Sequence, residues 1–311
     1  MNALNLFTRF GLKHSPNTHT AKPLMVGALC AMLLGACQPA STPTGQADTQ
    51  NGSTANAATG RTLRIATEGA YRPFNYTNAD GSLDGFDVDI AKALCAELKA
   101  QCEIKAQDWD GIIPALNAHK YDAIVSAMSV TPERAAQVDF TEPYFDNMLV
   151  FLARDDSTFN PDDTAQIDSH TLTAQRSTIS AQWLANKHPN ANVKLYDTLD
   201  NAFMDLAAGR ADAMVADRAP ALVWLQTPSG QGFSQKGAPI DIQDKLAVAV
   251  RRGDPLKGEI NSALAAIRSN GTYDRIVQQH FGGLSAHDSA ASSVTAASAA
   301  PAATSGSTSQ P

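Results

Sequence analysis

The chain has 311 residues, 43% of them hydrophobic and 18% charged, with a net charge of −7. That length suggests about two domains of ordinary size. The acidic balance argues against nucleic acid as a partner, because phosphates demand a basic surface.

In chain order, residues 1–36 read as an export signal. Arg9, Lys13 and Lys22 are the only Lys or Arg there, no acid accompanies them, and the apolar run at 24–36 is too short for a permanent membrane span. The run closes in LLGAC. A small-residue pair before a cysteine resembles a bacterial lipobox, with Cys37 as the lipidated first residue of the exported chain. An ordinary signal cleaved nearby is the alternative. Loss of three basic residues and no acid takes the net charge from −7 to −10. After Cys37, residues 38–60 are mainly Ser, Thr, Ala, Gly, Asn and Gln, with Asp48 as the one charge, and residues 284–311 are similar, with Asp288 as the one acid. Both have too little apolar surface to offset the entropy of ordering and read as a disordered tether and a disordered tail.

Residues 61–283 alternate strand and helix. LRIAT is a strand, and GFDVDIAKALCAEL a helix with Ile90, Ala91, Leu94 and Leu98 on one face. CEIKA is the next strand. Asp110 is placed to cap the helix GIIPALNAHK, with Pro114 near its first turn. DAIVSAM is a strand running into a loop. Beyond residue 170 the order recurs as SAQWLANKH, NVKLY, DNAFMDLAAGR and DAMVA. This is a βαβ pattern with a mostly parallel sheet. Once Cys30 leaves with the signal and Cys37 takes lipid, Cys95 and Cys102 remain in an oxidising compartment, as one disulfide or as two buried thiols. No further His or Cys stands at metal-ligand spacing, so no metal and no cofactor is expected.

LNAHKYDAIVSA at 116–127 lies over LAAGRADAMVAD at 206–217 at a constant offset, with Leu, the basic residue, Asp-Ala and Val coinciding. Two lobes on one plan follow, with Ser126, Ala127 and Asp217 at equivalent strand ends. Ligands sit outside the carboxyl ends of strands in open parallel sheets, so two such lobes face each other across a cleft.

Taken together, ATEGAYRPFNY, GFDVDIAKALC, DWDGIIPAL, SAMSVTPERAAQVDFTEPY, AGRADAMVAD and NGTYDRI resemble the periplasmic solute-binding proteins of ABC importers for polar amino acids, particularly the lysine/arginine/ornithine and histidine binders. The resemblance implies the type II periplasmic-binding-protein fold: two α/β lobes, each a mostly parallel sheet flanked by helices, joined by two hinge strands. It places lobe 1 at 61–150 and 246–283, lobe 2 at 151–245, and the crossings near 149–155 and 244–250. It also implies a protein that binds and does not catalyse.

The same resemblance assigns residues. Arg134 in SVTPER pairs the ligand carboxylate with a planar fork that lysine cannot reproduce. Ser129 donates to the same group, and Ser126 contacts the ligand. Ala127 stands where some binders carry a second serine, so one hydroxyl is absent. Thr178 donates at a helix start and can also cap that helix. Asp217 pairs the α-ammonium from the opposite lobe. Tyr71 and Trp109 sandwich the side chain, while Phe74 and Phe86 belong to the core. Glu68 faces the distal cation of a basic ligand, since a neutral one would leave the acid unpaired. Arg72 and Arg176 depart from the family pattern. Arg176, if it faced the cavity, would repel a cationic side chain.

The expected function is a monomeric, lipid-anchored protein on the periplasmic side of a bacterial membrane. It would bind a free polar, preferably basic, L-amino acid (arginine, lysine or ornithine) and deliver it to the permease subunits of an ABC importer. A periplasmic arogenate or prephenate dehydratase on the same scaffold, with Glu68 as acid, and a ligand-presenting sensor are the alternatives.

Overall fold

A computed structural model describes residues 60–282. The expected signal, Cys37, most of the tether and the tail lie outside those residues. Among the described residues, no helix is long and apolar enough to cross a membrane.

The chain opens with β1 (Thr62–Thr67), followed by a three-stranded sheet of β2 (Ala70–Tyr71), β3 (Asn75–Thr77) and β4 (Leu83–Asp84). Then come α1 (Phe86–Glu97), β5 (Gln101–Ala106), α2 (Ile112–Asn117), β6 (Ala123–Ile124), α3 (Pro132–Ala135) and the long β7 (Val138–Arg154). The second run is α4 (Thr164–Ser169), β8 (Thr171–Gln175), α5 (Ile179–Lys187), β9 (Asn192–Tyr196), α6 (Leu199–Ala207), β10 (Ala213–Asp217) and α7 (Arg218–Leu225). A second long strand, β11 (Phe233–Arg251), leads to α8 (Leu256–Ser269) and α9 (Thr272–Phe281).

The main sheet has the order β5-β1-β6-β11-β7-β10-β8-β9. Its two outer thirds, β5-β1-β6 and β10-β8-β9, are parallel, while β11 runs antiparallel to β6, β7 antiparallel to β10, and the two long strands antiparallel to each other. This is the two-lobed α/β arrangement joined by two strands. Helices cover each half. Ile90, Ala91 and Leu94 of α1 pack with Ile260, Leu264 and Ile267 of α8 and Ile276 and Phe281 of α9, while Ile112 and Leu116 of α2 join Ile124, Val138 and Ala249 in a separate cluster. In the other half, Ile167 and Leu184 pack on Leu172, Ala213 and Val215. Phe74 and Phe86 are fully buried core rings. Cys95 of α1 and Cys102 of β5 form a disulfide with Cα atoms 5.8 Å apart.

Three local expectations need correction. Asp110 is not the cap of α2. It lies inside a 3₁₀ turn over Trp109–Gly111, and Gly111 takes the cap position with no side-chain bond. Helix α2 stops at Asn117, because His119 turns into the left-handed region at φ 60. The strand crossings also lie earlier than 149–155 and 244–250. Residues 149–153 of β7 already pair with β10, and Ala249 of β11 pairs with β6. The change of partners falls between Asn147 and Leu149 and between Ile240 and Asp244, where the register shifts. The apolar run LVFLA is the buried middle of a sheet, whereas the passage between halves lacks flanking strands and carries polar residues.

Candidate functional site

The nine residues singled out in the sequence line one cavity: Glu68, Tyr71, Trp109, Ser126, Ala127, Ser129, Arg134, Thr178 and Asp217. Gln175 and Ile179 complete the wall. The cavity holds about 270 Å³ of space between protein atoms, part of it open solvent.

Strand geometry brings the residues together. Glu68 follows β1, and Ser126 and Ala127 follow its parallel neighbour β6. Gln175 ends β8 and Asp217 ends its neighbour β10. All four positions are carboxyl ends of parallel strands. Gly69, at φ 81, lets the chain turn immediately after Glu68. The Glu68 N–H donates to Ser126 Oγ at 2.8 Å, fixing one strand end against the other.

Behind the wall runs a buried chain of hydrogen bonds. Gly69 N–H donates to Asn75, Asn75 donates to Asp87 at 2.8 Å, and Tyr144 O–H donates to Asp87 at 2.7 Å. The Ala127 N–H donates to the Tyr144 oxygen at 3.0 Å. Ala127 itself sits at φ 43, a backbone position that non-glycine residues occupy only when their surroundings hold them there.

Arg134 lies in α3, whose N-cap Thr131 accepts the Arg134 backbone N–H. Its guanidinium is buried. Nη1 donates to the Ser129 carbonyl and Nη2 to the Ser177 carbonyl, both at 2.9 Å, and the group lies 5.0 Å from the centre of the Trp109 ring. Trp109 Nε1 donates to the same Ser177 carbonyl at 3.1 Å. Across the cavity, the Tyr71 hydroxyl donates to Asp217 Oδ2 at 2.7 Å, while Asp217 Oδ1 is buried with no hydrogen-bond partner. Asp217 occupies the position before α7 without capping it. Thr178 caps α5 by accepting from Ala181 N–H and donates its hydroxyl to the Gln175 carbonyl.

Burial controls the charges. It pushes Glu68 up to about 7, with the carboxylates of Asp200, Asp108 and Asp110 adding to the shift and a Gln175 hydrogen bond opposing it. Asp217 is pushed up to about 6 by burial and by the nearby Asp244 carboxylate. Arg134 is lowered by burial, against the pull of Asp244 and Asp217. Asp244 accepts from Ser129 Oγ at 2.9 Å and from Asn147 Nδ2 at 2.8 Å, at the crossing of β7 and β11.

Neither unusual arginine faces the cavity. Arg72 lies over the Tyr76 ring, 3.4 Å from its centre. Arg176 pairs with Asp197 at 2.9 Å and donates to the Leu195 carbonyl. The sequence missed Gln175, Ile179 and Asp244. A polar residue closing the strand parallel to the one that ends in Asp217 was the signal available for Gln175.

Two α/β lobes joined by paired long strands, with a polar cavity walled from both, define a solute-binding protein of the periplasmic type. The chain belongs to the bacterial extracellular solute-binding proteins, family 3, whose family model matches residues 63–283. It is 37% identical over 232 residues to the L-arginine-binding protein of Pseudomonas aeruginosa, covering 72% of this chain and 89% of that protein. It is 35% identical over 233 residues to ABC transporter arginine-binding protein 1 of Escherichia coli, covering 73% and 94%. Among solved structures, an ancestral arginine-binding protein bound to arginine superposes with a TM-score of 0.67 at 34% identity, covering 71% of this chain and 98% of that one.

Proposed function

We propose that this protein binds a free basic L-amino acid, with arginine foremost, and hands it to the permease of an ABC importer without chemical change. The observation that carries this reading is Asp217 Oδ1, a buried carboxylate oxygen without a partner in the same cavity as the Arg134 fork. Unpaired buried acceptors are costly, and an α-ammonium would satisfy this one. The ligand carboxylate would take the Arg134 donors, Ser129 and the start of α5, and the side chain would pass between Tyr71 and Trp109 toward Glu68. The outward turn of Arg176 removes the charge that would oppose a cation there.

Export, lipid attachment at Cys37, residence on the periplasmic side of a bacterial membrane and action as a monomer complete the proposal. Lobe 1 would comprise 61–147 and 244–283 and lobe 2 residues 149–240, with the passages between them as hinge. A calorimetric screen of the purified protein against the amino acids, ornithine and opines tests the reading. Micromolar or tighter binding of arginine is expected, about −8 kcal/mol or better. Absence of binding to any basic amino acid would overturn it. The raised Glu68 carboxyl also suits a general acid. Conversion of arogenate to phenylalanine in a spectroscopic assay would replace the transport reading with the dehydratase one.

A further inference from the structure

Neither Asp244 nor Asn147 lines the cavity. Both are buried on the two long strands, as register partners at the edge of the passage between the halves. Asp244 Oδ2 accepts two hydrogen bonds, from Asn147 Nδ2 at 2.8 Å and from Ser129 Oγ at 2.9 Å. An ionised carboxylate only accepts, so the one hydroxyl proton of Ser129 is engaged by Asp244. The Ser129 carbonyl in turn accepts Arg134 Nη1 at 2.9 Å. A path of three hydrogen bonds therefore runs from β7 through β11 to the guanidinium.

A buried carboxylate is costly, and an apolar pair would join two strands at lower cost. At this position the carboxylate does what an apolar pair cannot. One oxygen gathers a donor from the neighbouring long strand and a donor from the segment that leads into α3. We infer that Asp244 is a positioning residue that fixes Ser129, and through the Ser129 carbonyl the Arg134 fork, to the passage between the lobes, so that the grip on the ligand carboxylate and the approach of the lobes are set together. This rests on the binding reading above and extends it from the cavity wall to the strands behind it.

The test compares the wild type with Asp244→Asn and Asp244→Ala by calorimetry at pH 8, where Glu68 and Asp217 are ionised. Asparagine keeps one acceptor oxygen, which suffices because both donors meet at Oδ2. It should leave affinity within about threefold of the wild type. Alanine should weaken every amino acid that the wild type binds by the same factor, about tenfold, since the carboxylate end is common to all. In small-angle scattering, the decrease in radius that arginine produces in the wild type should be kept by the asparagine variant and reduced in the alanine variant. Asn147→Ala should weaken arginine by about threefold from outside the cavity, and it decides the matter if Asp244→Ala fails to fold. An alanine variant that binds like the wild type, a loss confined to arginine, or an asparagine variant as weak as the alanine one would overturn the inference and leave the binding reading intact. So would wild-type affinity in Asn147→Ala, or a wild type whose radius arginine leaves unchanged. A wild type that binds no amino acid would remove the binding reading itself, and this inference with it.

Discussion

Glu68 shows how one residue can serve the fold and the ligand in opposite directions. Burial raises it to about 7, so between the ordinary carboxylate range and about 7 the folded chain holds a proton that the unfolded chain has released. Its contribution therefore favours folding at low pH and is lost as pH rises toward 7. A cationic ligand needs the ionised form, so binding acts in the other sense. Arginine affinity should rise on the order of a hundredfold between pH 5.5 and 8, about thirtyfold of it from Glu68, with proton release detectable by calorimetry in buffers of different ionisation enthalpy. Glutamine should show only the lower step set by Asp217, near 6. Glu68→Gln should flatten the upper step and weaken arginine far more than glutamine. An unchanged arginine profile in that variant would show that Glu68 does not read the side chain. The acid at the strand end and its paired aromatics were legible in the sequence, because short motifs fix which residues meet there. Gln175 was not, since a glutamine carries no sign of which edge of its amide will be spent on neighbours.

At the scale of elements, period and punctuation carried most of the reading. The alternation of short apolar runs with helical stretches gave the parallel strands, and the repeat at 116–127 and 206–217 placed two strand ends as equivalents, which β6 and β10 are. The errors lay where tertiary context overrides local pattern. Asp110 looked like a cap, yet the chain tightens into a 3₁₀ turn that carries Trp109 toward the cavity. The crossings were misplaced because apolarity marks burial between strands, whereas Asn147 and Asp244 mark the passage itself. Cys95 and Cys102 tie the last turn of α1 to the start of β5 across a separation of 7 residues. In the chain-entropy description a loop this short contributes about 2–3 kcal/mol. Cys95→Ser with Cys102→Ser should lower stability by that amount in urea unfolding, with arginine affinity unchanged because neither cysteine lines the cavity. A loss of affinity with unchanged stability would contradict that division of labour.

At the scale of the molecule, the cavity is walled by both ends of a single eight-stranded sheet. Hydrogen bonds already span it, from Tyr71 to Asp217, from Gln175 to Glu68 and from Arg134 and Trp109 to Ser177. A zwitterion held by Arg134 on one side and Asp217 on the other would favour the arrangement in which the halves approach, by as much as it binds that arrangement better. The two long strands would supply the shared hinge, with the buried Asp244–Asn147 pair at the crossing. The most direct test is a crystal structure of the protein grown with L-arginine. The account predicts the arginine carboxylate on the Arg134 guanidinium and the α-ammonium on Asp217 Oδ1. Arginine seated in the cavity with neither residue touching it would contradict the account.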